Sequence, residues 1–115
     1  KILPRKFVME KNELTFAAYS VALLVKGKGG KVKKGLEQRD AAVTVGAKGA
    51  TTLVFKENRL ILPMISTDVA KDYPVAFNQI TRLTKLEEND VVVISSADQL
   101  KTAEYGALAA AWPLI

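Results

Sequence analysis

The sequence predicts a single α+β domain over residues 1–115, with a mixed or mostly antiparallel sheet. Three patterns support this fold class: a β-hairpin at about 50–65, a continuous apolar run at 91–94 and an Ala-rich C-terminal helix at about 97–111. The chain has 115 residues, which is typical of one domain. Hydrophobic residues make up 49% and charged residues 25%, an ordinary globular balance.

The first quarter of the chain contains one clear element and one ambiguous element. Residues 5–9 are predicted to form a short strand. Residues 14–25 place apolar side chains at helical spacing, and the Ala content with Gly27 as a C-cap favours a helix. The segment is nonetheless apolar nearly all round, which also fits a buried strand. If it is a strand, the alternative fold is a mostly-β sandwich.

The middle of the chain is predicted to be largely β. Residues 41–45 (Ala-Ala-Val-Thr-Val) are expected to form a strand, because β-branched residues favour pleated structure. Residues 50–56 and 59–65 form the hairpin, which turns at Glu57 and Asn58. Pro63 lacks an N–H group and should end that ladder or place it at a sheet edge.

The last third predicts two helices around a central strand. Pro74 suits the first turn of a helix, and Val91 to Ile94 read as a strand covered on both faces. Ser96 with Gln99 three residues later matches a capping box, and the helix over 97–111 should stop before Pro113.

Composition excludes several classes of chemistry. The chain has no Cys and no His, so disulfides, thiol nucleophiles, cysteine-ligated metals and histidine bases are absent. No catalytic, cofactor-binding or metal-binding residues are predicted, and the chain is expected not to be an enzyme. The longest apolar stretch, residues 16–25, is too short to span a bilayer, so no membrane span is expected. The composition indicates no particular compartment.

Positive charge is concentrated near the N-terminus. Residues 1–39 carry ten basic and three acidic side chains, whereas residues 40–115 carry seven basic and nine acidic ones. Five lysines alternate with glycines over residues 26–35, which we call the basic segment. The lysines are Lys26, Lys28, Lys31, Lys33 and Lys34. Glycines let backbone approach a ligand and lysines supply charge, so these five are the predicted partner- or polyanion-binding residues. The segment does not match a phosphate-binding P-loop.

The acidic turn at residues 87–90 is the predicted complement of the basic segment. Glu87, Glu88 and Asp90 could form a counter-surface for the basic segment of a second molecule. We therefore expect a non-catalytic structural or interaction module that acts by self-association or docking. A homo-oligomer or a larger assembly, such as a virion, tail, filament or shell, fits this expectation. The alternative is a basic domain that contacts RNA or DNA backbone through residues 26–35 by non-specific electrostatics.

Overall fold

The centre of the computed structural model, which describes residues 5–115, is a five-stranded antiparallel sheet. The strands are β1 (Arg5–Met9), β2 (Tyr19–Val25), β3 (Gly49–Lys56), β4 (Arg59–Ile61) and β5 (Val91–Ala97). Their order across the sheet is β1-β2-β5-β3-β4, and neighbouring strands are antiparallel throughout. The predicted strand over 5–9 is confirmed as β1.

Four α-helices cover the two faces of the sheet in the described part of the chain. They are α1 (Leu36–Thr44), α2 (Val69–Asp72), α3 (Pro74–Leu83) and α4 (Leu100–Ala111). Ala42 of α1 and Ala107 of α4 belong to the apolar core on one face, whereas Val69 of α2 and Ile80 of α3 belong to the core on the other. The α+β class with a C-terminal helix is therefore confirmed, rather than the mostly-β sandwich.

Strand β5 lies in the middle of the sheet, and all seven of its residues are buried. Because strand side chains alternate between faces, Val91 and Val93 enter the core beneath α1 and α4. Val92 and Ile94 enter the core beneath α2 and α3. The predicted central strand at 91–94 is confirmed, and its lack of alternation follows from burial on both faces.

The predicted hairpin is formed by β3 and β4, which pair from Val54↔Ile61 to Lys56↔Arg59. Glu57 and Asn58 both have positive φ values, 54° and 63°, as a two-residue hairpin turn of type I′ requires. Strand β4 ends at Ile61, well before residue 65, so one side of β3 is only partly paired.

The preference for a helix over residues 14–25 was wrong. Residues 19–25 form β2, which lies between β1 and β5, and its side chains from Ser20 onward are buried. A strand covered on both faces is apolar at successive positions, so helical spacing is satisfied without a helix. The polar connection Glu10 to Ala18 precedes it, and within that connection Leu14 is buried.

The predicted strand over residues 41–45 was also wrong, because residues 36–44 form α1. Ala42 is fully buried, and its small side chain lets α1 pack closely against α4. Val43 and Val45 remain 48% and 44% exposed. The β-branched side chains that suggested a strand therefore face solvent, and tertiary packing outweighs local propensity here.

The capping-box prediction at Ser96 was wrong, although the C-terminal helix is confirmed. Ser96 lies inside β5, and its hydroxyl accepts a hydrogen bond from the Phe16 N–H at 3.0 Å and is 2.8 Å from the Ser20 hydroxyl. Helix α4 begins at Leu100, and Gln99 is its N-cap without a side-chain capping bond. Within residues 5–115, no helix is both long and apolar enough to cross a membrane.

Candidate functional site

The basic segment and the acidic turn contact each other within one chain. The Lys26 ammonium contacts the Asp90 carboxylate and lies 2.9 Å from Oε1 of Glu87. The Asp90 side chain is only 2% exposed, and it also accepts hydrogen bonds from the N–H groups of Gly27 (3.1 Å) and Glu87 (2.8 Å). The hydrogen bond to Asp90, and then that to Glu87, raise the pKa of Lys26 above its usual value.

Glu88 also has an intramolecular contact, because its Oε1 accepts a hydrogen bond at 2.9 Å from the N–H of Glu57. Each of the three predicted acidic residues therefore has a contact inside its own chain. The pairing expected between the basic segment of one molecule and the acidic turn of another occurs within a single molecule. The buried Asp90 with its partner Lys26 consequently supports the fold, whereas Glu87 and Glu88 are exposed, and the role of all four toward a partner remains a prediction.

The start of the basic segment is anchored by Gly29. Its N–H donates to the carbonyl of Asn89 at 2.7 Å, and residues Gly29–Lys31 form one short 3-10 turn. A Cβ atom at Gly29 would lie 2.8 Å from Cγ1 of Val54, so a larger residue would clash. This glycine therefore serves close packing as well as loop geometry.

The other four lysines of the basic segment lie ahead of α1, and three of them project into solvent. Lys31, Lys33 and Lys34 are exposed and Lys28 is half-buried. Among residues 5–115, the ion pairs do not include any of these four. They precede the N-terminus of α1, where helix N–H groups carry a positive partial charge. The lysines and the helix N-terminus therefore place positive charge next to the first turn of α1, which also carries the acidic Glu37.

A cleft of about 350 Å³ lies beside this helix N-terminus, and we call it the groove. Its floor is formed by residues 50–52 of β3. One wall comes from residues 34–36 and Arg39, around the start of α1. The opposite wall includes Leu14, Phe16 and Tyr73. Residues 62, 63 and 65, which follow β4, also line the groove.

The register of the sheet leaves backbone groups at the floor of the groove without a strand partner, although residues 50–52 are themselves buried. The Phe55 N–H donates to the carbonyl of Asp90 at 2.8 Å, and its carbonyl accepts from the N–H of Asn89 at 2.7 Å. Because residues of an antiparallel strand bond alternately to either side, every second residue before Phe55 also bonds toward β5. Ala50 and Thr52 lie between these residues and direct their N–H and C=O groups toward the groove.

Strand β4 does not extend far enough to pair with those groups. The pair Val54↔Ile61 is the last of the β3–β4 ladder. Continuing the same register would place Pro63 opposite Thr52, and proline has no N–H to donate. The sequence prediction that Pro63 ends the ladder is thus confirmed, and its consequence is a strand edge that is only partly paired.

Thr52 contributes an additional polar group at this position. Thr52 as a whole, backbone included, is 3% exposed, and its hydroxyl oxygen has no hydrogen-bond partner. It lies on the α1 side of the sheet, since a Cβ atom at Gly35 would be 3.6 Å from Cβ of Thr52. A buried hydroxyl without a partner is unusual and costs stability, which is often a feature of binding sites.

Large apolar side chains remain in solvent around the groove. Phe16, Leu36 and Ile65 are 60%, 49% and 69% exposed. The ring of Phe16 contacts Gly49 at the start of β3, where a Cβ atom would lie 3.2 Å from Cδ2 of the ring. Exposed apolar groups next to one another around a concave surface are typical of interaction sites.

Glu13 lies at the rim of the groove and is bound to the N-terminus of α3. Its carboxylate accepts hydrogen bonds from the N–H groups of Ala76 (2.9 Å) and Val75 (3.2 Å). Desolvation raises the pKa of Glu13, but the hydrogen bonds from Ala76 and Val75 outweigh it and hold the pKa below its usual value. Arg39, on the opposite wall, lies 3.2 Å from Asp40 in an exposed ion pair.

The groove could not be identified from the sequence, because its residues come from five separate segments of the chain. Lys34 belongs to both the predicted basic segment and the groove, whereas Phe16 and Thr52 were not predicted as site residues. Pro63 was the local pattern that pointed to an incomplete ladder. Among residues 5–115 no cluster of Asp and Glu side chains could hold a metal ion.

Comparisons with known proteins identify a family and a fold. A family model described as "Domain of unknown function (DUF4443)" matches residues 16–114. The hypothetical protein PH0730 from Pyrococcus horikoshii OT3 has a similar structure, with a TM-score of 0.69 and 24% sequence identity. The similarity covers 96% of this chain and 54% of that one, so this chain spans about half the length of its structural neighbour. No curated protein matches the sequence.

Proposed function

The chain belongs to the family described as a domain of unknown function (DUF4443), and we propose that it is a non-catalytic interaction module that docks a partner in the groove. The observation that carries this proposal is the set of exposed apolar side chains around a concave strand edge, Phe16, Leu36 and Ile65. Burying apolar surface contributes about 25 cal/mol per Å², so covering these side chains favours docking.

The polar side chains around the groove support docking rather than catalysis. Glu13 caps α3, and Arg39 lies beside Asp40. Inside the sheet, the buried hydroxyls of Ser20 and Ser96 are hydrogen-bonded to each other, and that of Ser96 also accepts from the Phe16 N–H. These groups have structural partners that account for their positions.

Docking of a different molecule is favoured over self-association through the groove. Two copies that met here would bury Lys34, and the Glu13 carboxylate that could face it in the other copy is already bound to the N–H groups of α3. Self-association through another surface, as in a virion, tail, filament or shell, stays a prediction. Light scattering at low and high salt tests it, because an assembly held by charge should dissociate as salt increases.

Selection of random peptides displayed on phage against the immobilised domain tests the docking proposal. We expect an enriched peptide group whose binding falls at least about tenfold in Phe16→Ser or Ile65→Ser, about the effect of losing one well-packed anchor. Leu108→Ser is the matched control, because Leu108 is 46% exposed on α4 and is not among the residues lining the groove. The proposal would be contradicted if no peptide were enriched over the blank support, or if Leu108→Ser weakened peptide binding as much as Phe16→Ser and Ile65→Ser do.

A second candidate function is contact with nucleic-acid phosphates. The observation favouring it is the group of four lysines without acidic partners among the described residues: Lys28, Lys31, Lys33 and Lys34. Four phosphate contacts predict that affinity falls about 100-fold when salt increases fourfold. Fluorescence anisotropy with single-stranded RNA and duplex DNA at two salt concentrations measures this. The absence of binding at low salt would exclude it.

A further inference from the structure

We propose that the groove binds an extended peptide segment in which acidic and apolar residues alternate, added as a strand along the open edge of β3. This inference rests on the proposed docking function and specifies the partner. Strand addition uses main-chain hydrogen bonds for affinity and side-chain pockets for specificity. The groove supplies both, because its floor is strand backbone and its two walls differ in chemistry.

The backbone of the floor determines how the peptide would pair. Ala50 and Thr52 direct their N–H and C=O groups away from β5, and β4 has already ended opposite them. An added strand would exchange hydrogen bonds with these two residues. Thr51, between them, bonds toward β5 and would not change its partner. This difference between neighbouring amides is specific to strand addition.

The two walls determine the side chains of the peptide. Side chains of an added strand point alternately to the two faces of the sheet. On the α1 face they would meet Lys34, Arg39 and the N-terminus of α1, all of which favour carboxylates. On the other face they would meet Leu14, Phe16 and Tyr73, which favour apolar side chains.

Two further observations fit carboxylates on the α1 face. The hydroxyl of Thr52 is buried on that side without a hydrogen-bond partner and can donate to an oxygen. The acidic residue at the opposite rim, Glu13, has its carboxylate occupied by two N–H donors of α3. The Lys34 ammonium, which has no ion pair within residues 5–115, is therefore left for an incoming anion, whereas Arg39 would exchange its exposed contact with Asp40 for that anion.

An NMR titration with a designed peptide tests the proposal. The probe is a blocked, alternating Glu-Val peptide three repeats long, and its control has the same composition with all Glu residues before all Val residues. We expect the alternating peptide to bind at least about fivefold more tightly, and to slow hydrogen exchange at the Ala50 and Thr52 amides but not at Thr51. Lys34→Ser with Arg39→Ser should weaken binding about tenfold, whereas Lys85→Ser, an exposed lysine outside the groove lining, should not.

The outcomes separate this inference from the docking proposal. Equal affinity for the two peptides, no binding of either, or unchanged exchange at Ala50 and Thr52 would overturn strand addition by an alternating acidic segment. Exchange that slows on concentrating the protein without peptide would show a second copy in the groove, which also overturns it. In each of these cases the peptide selection still decides whether Phe16 and Ile65 form a docking surface.

Discussion

The ammonium of Lys26 contacts the buried carboxylate of Asp90 and joins the basic segment to the acidic turn of the same chain. Asp90 directly precedes β5, and the N–H of Gly27, just after β2, donates to it. One carboxylate therefore holds together the adjoining ends of two central strands. This contact also sets the basic segment in place beside the N-terminus of α1.

Lys26→Met should lower the free energy of unfolding by about 1–2 kcal/mol, because it leaves a buried carboxylate without its cationic partner. The magnitude is at the low end for a buried charge, since the Lys26 side chain is 36% exposed and two N–H donors remain on Asp90. Urea denaturation measures the change. Lys85→Met is the matched control, and an equal loss in both variants would contradict a specific role for Lys26.

The same pair predicts a dependence on alkaline pH. The pKa of Lys26 is raised in the folded state, so its stabilising contribution is complete below about 10.5 and is lost as pH rises through the folded-state value. The stability difference between wild type and Lys26→Met should therefore shrink at strongly alkaline pH. A difference that stays constant over that range would show that lost packing of the side chain, rather than its charge, causes the effect.

Ser95→Ala and Ser96→Ala should change stability in opposite directions, although the residues are adjacent and equally buried. The Ser95 hydroxyl has no hydrogen-bond partner, so its removal should stabilise the domain by about 0.5–1 kcal/mol. The Ser96 hydroxyl bonds to Ser20 and to the Phe16 N–H, and its removal should cost about 1–3 kcal/mol. Thermal denaturation compares the two variants. A lower stability of Ser95→Ala than of the wild type would mean that the Ser95 hydroxyl has a hydrogen-bond partner in solution.

The fold class could be predicted because its elements have strong local patterns. The turn residues Glu57 and Asn58, the apolar run of β5 and the Ala-rich α4 each indicate their structure without help from distant residues. The wrong predictions concern segments whose patterns tertiary packing overrides. Strand β2 is covered on both faces and shows no alternation, and α1 faces solvent with Val43 and buries the small Ala42.

The site could be predicted only in part, for a related reason. Charge clustering identified Lys34, which does line the groove. It could not indicate that Lys26 pairs with Asp90, since residues 64 positions apart meet only through the β2–β5 register. Phe16 and Ile65 carry no sequence signal that separates them from core residues, yet they are 60% and 69% exposed.

Glu13→Gln should destabilise the domain at neutral pH and have little effect in acid. The pKa of Glu13 is held below its usual value in the folded state, so its contribution is present above about 4.5 and is lost as pH falls through the folded-state value. A neutral amide accepts hydrogen bonds from the α3 N-terminus less strongly than a carboxylate does. Melting temperatures across an acid-to-neutral series measure this, with Glu10→Gln as control, and a pH-independent difference would contradict the capping role.

Replacing Lys28, Lys31 and Lys33 together with Ser should separate the two candidate binding modes. The three side chains make no ion pair within residues 5–115, and exposed charges add little to stability, so the melting temperature should be nearly unchanged. Affinity for RNA or DNA should fall and its salt dependence should flatten, because three phosphate contacts are lost. Binding of the alternating Glu-Val peptide should change little, since Lys34 and Arg39 remain beside the groove.

Fluorescence anisotropy with labelled nucleic acid and labelled peptide, on the same protein preparation, makes the comparison. If the variant unfolds, these lysines are part of the packed structure. If peptide binding falls as much as nucleic-acid binding, the groove and the basic segment form one anion-binding site.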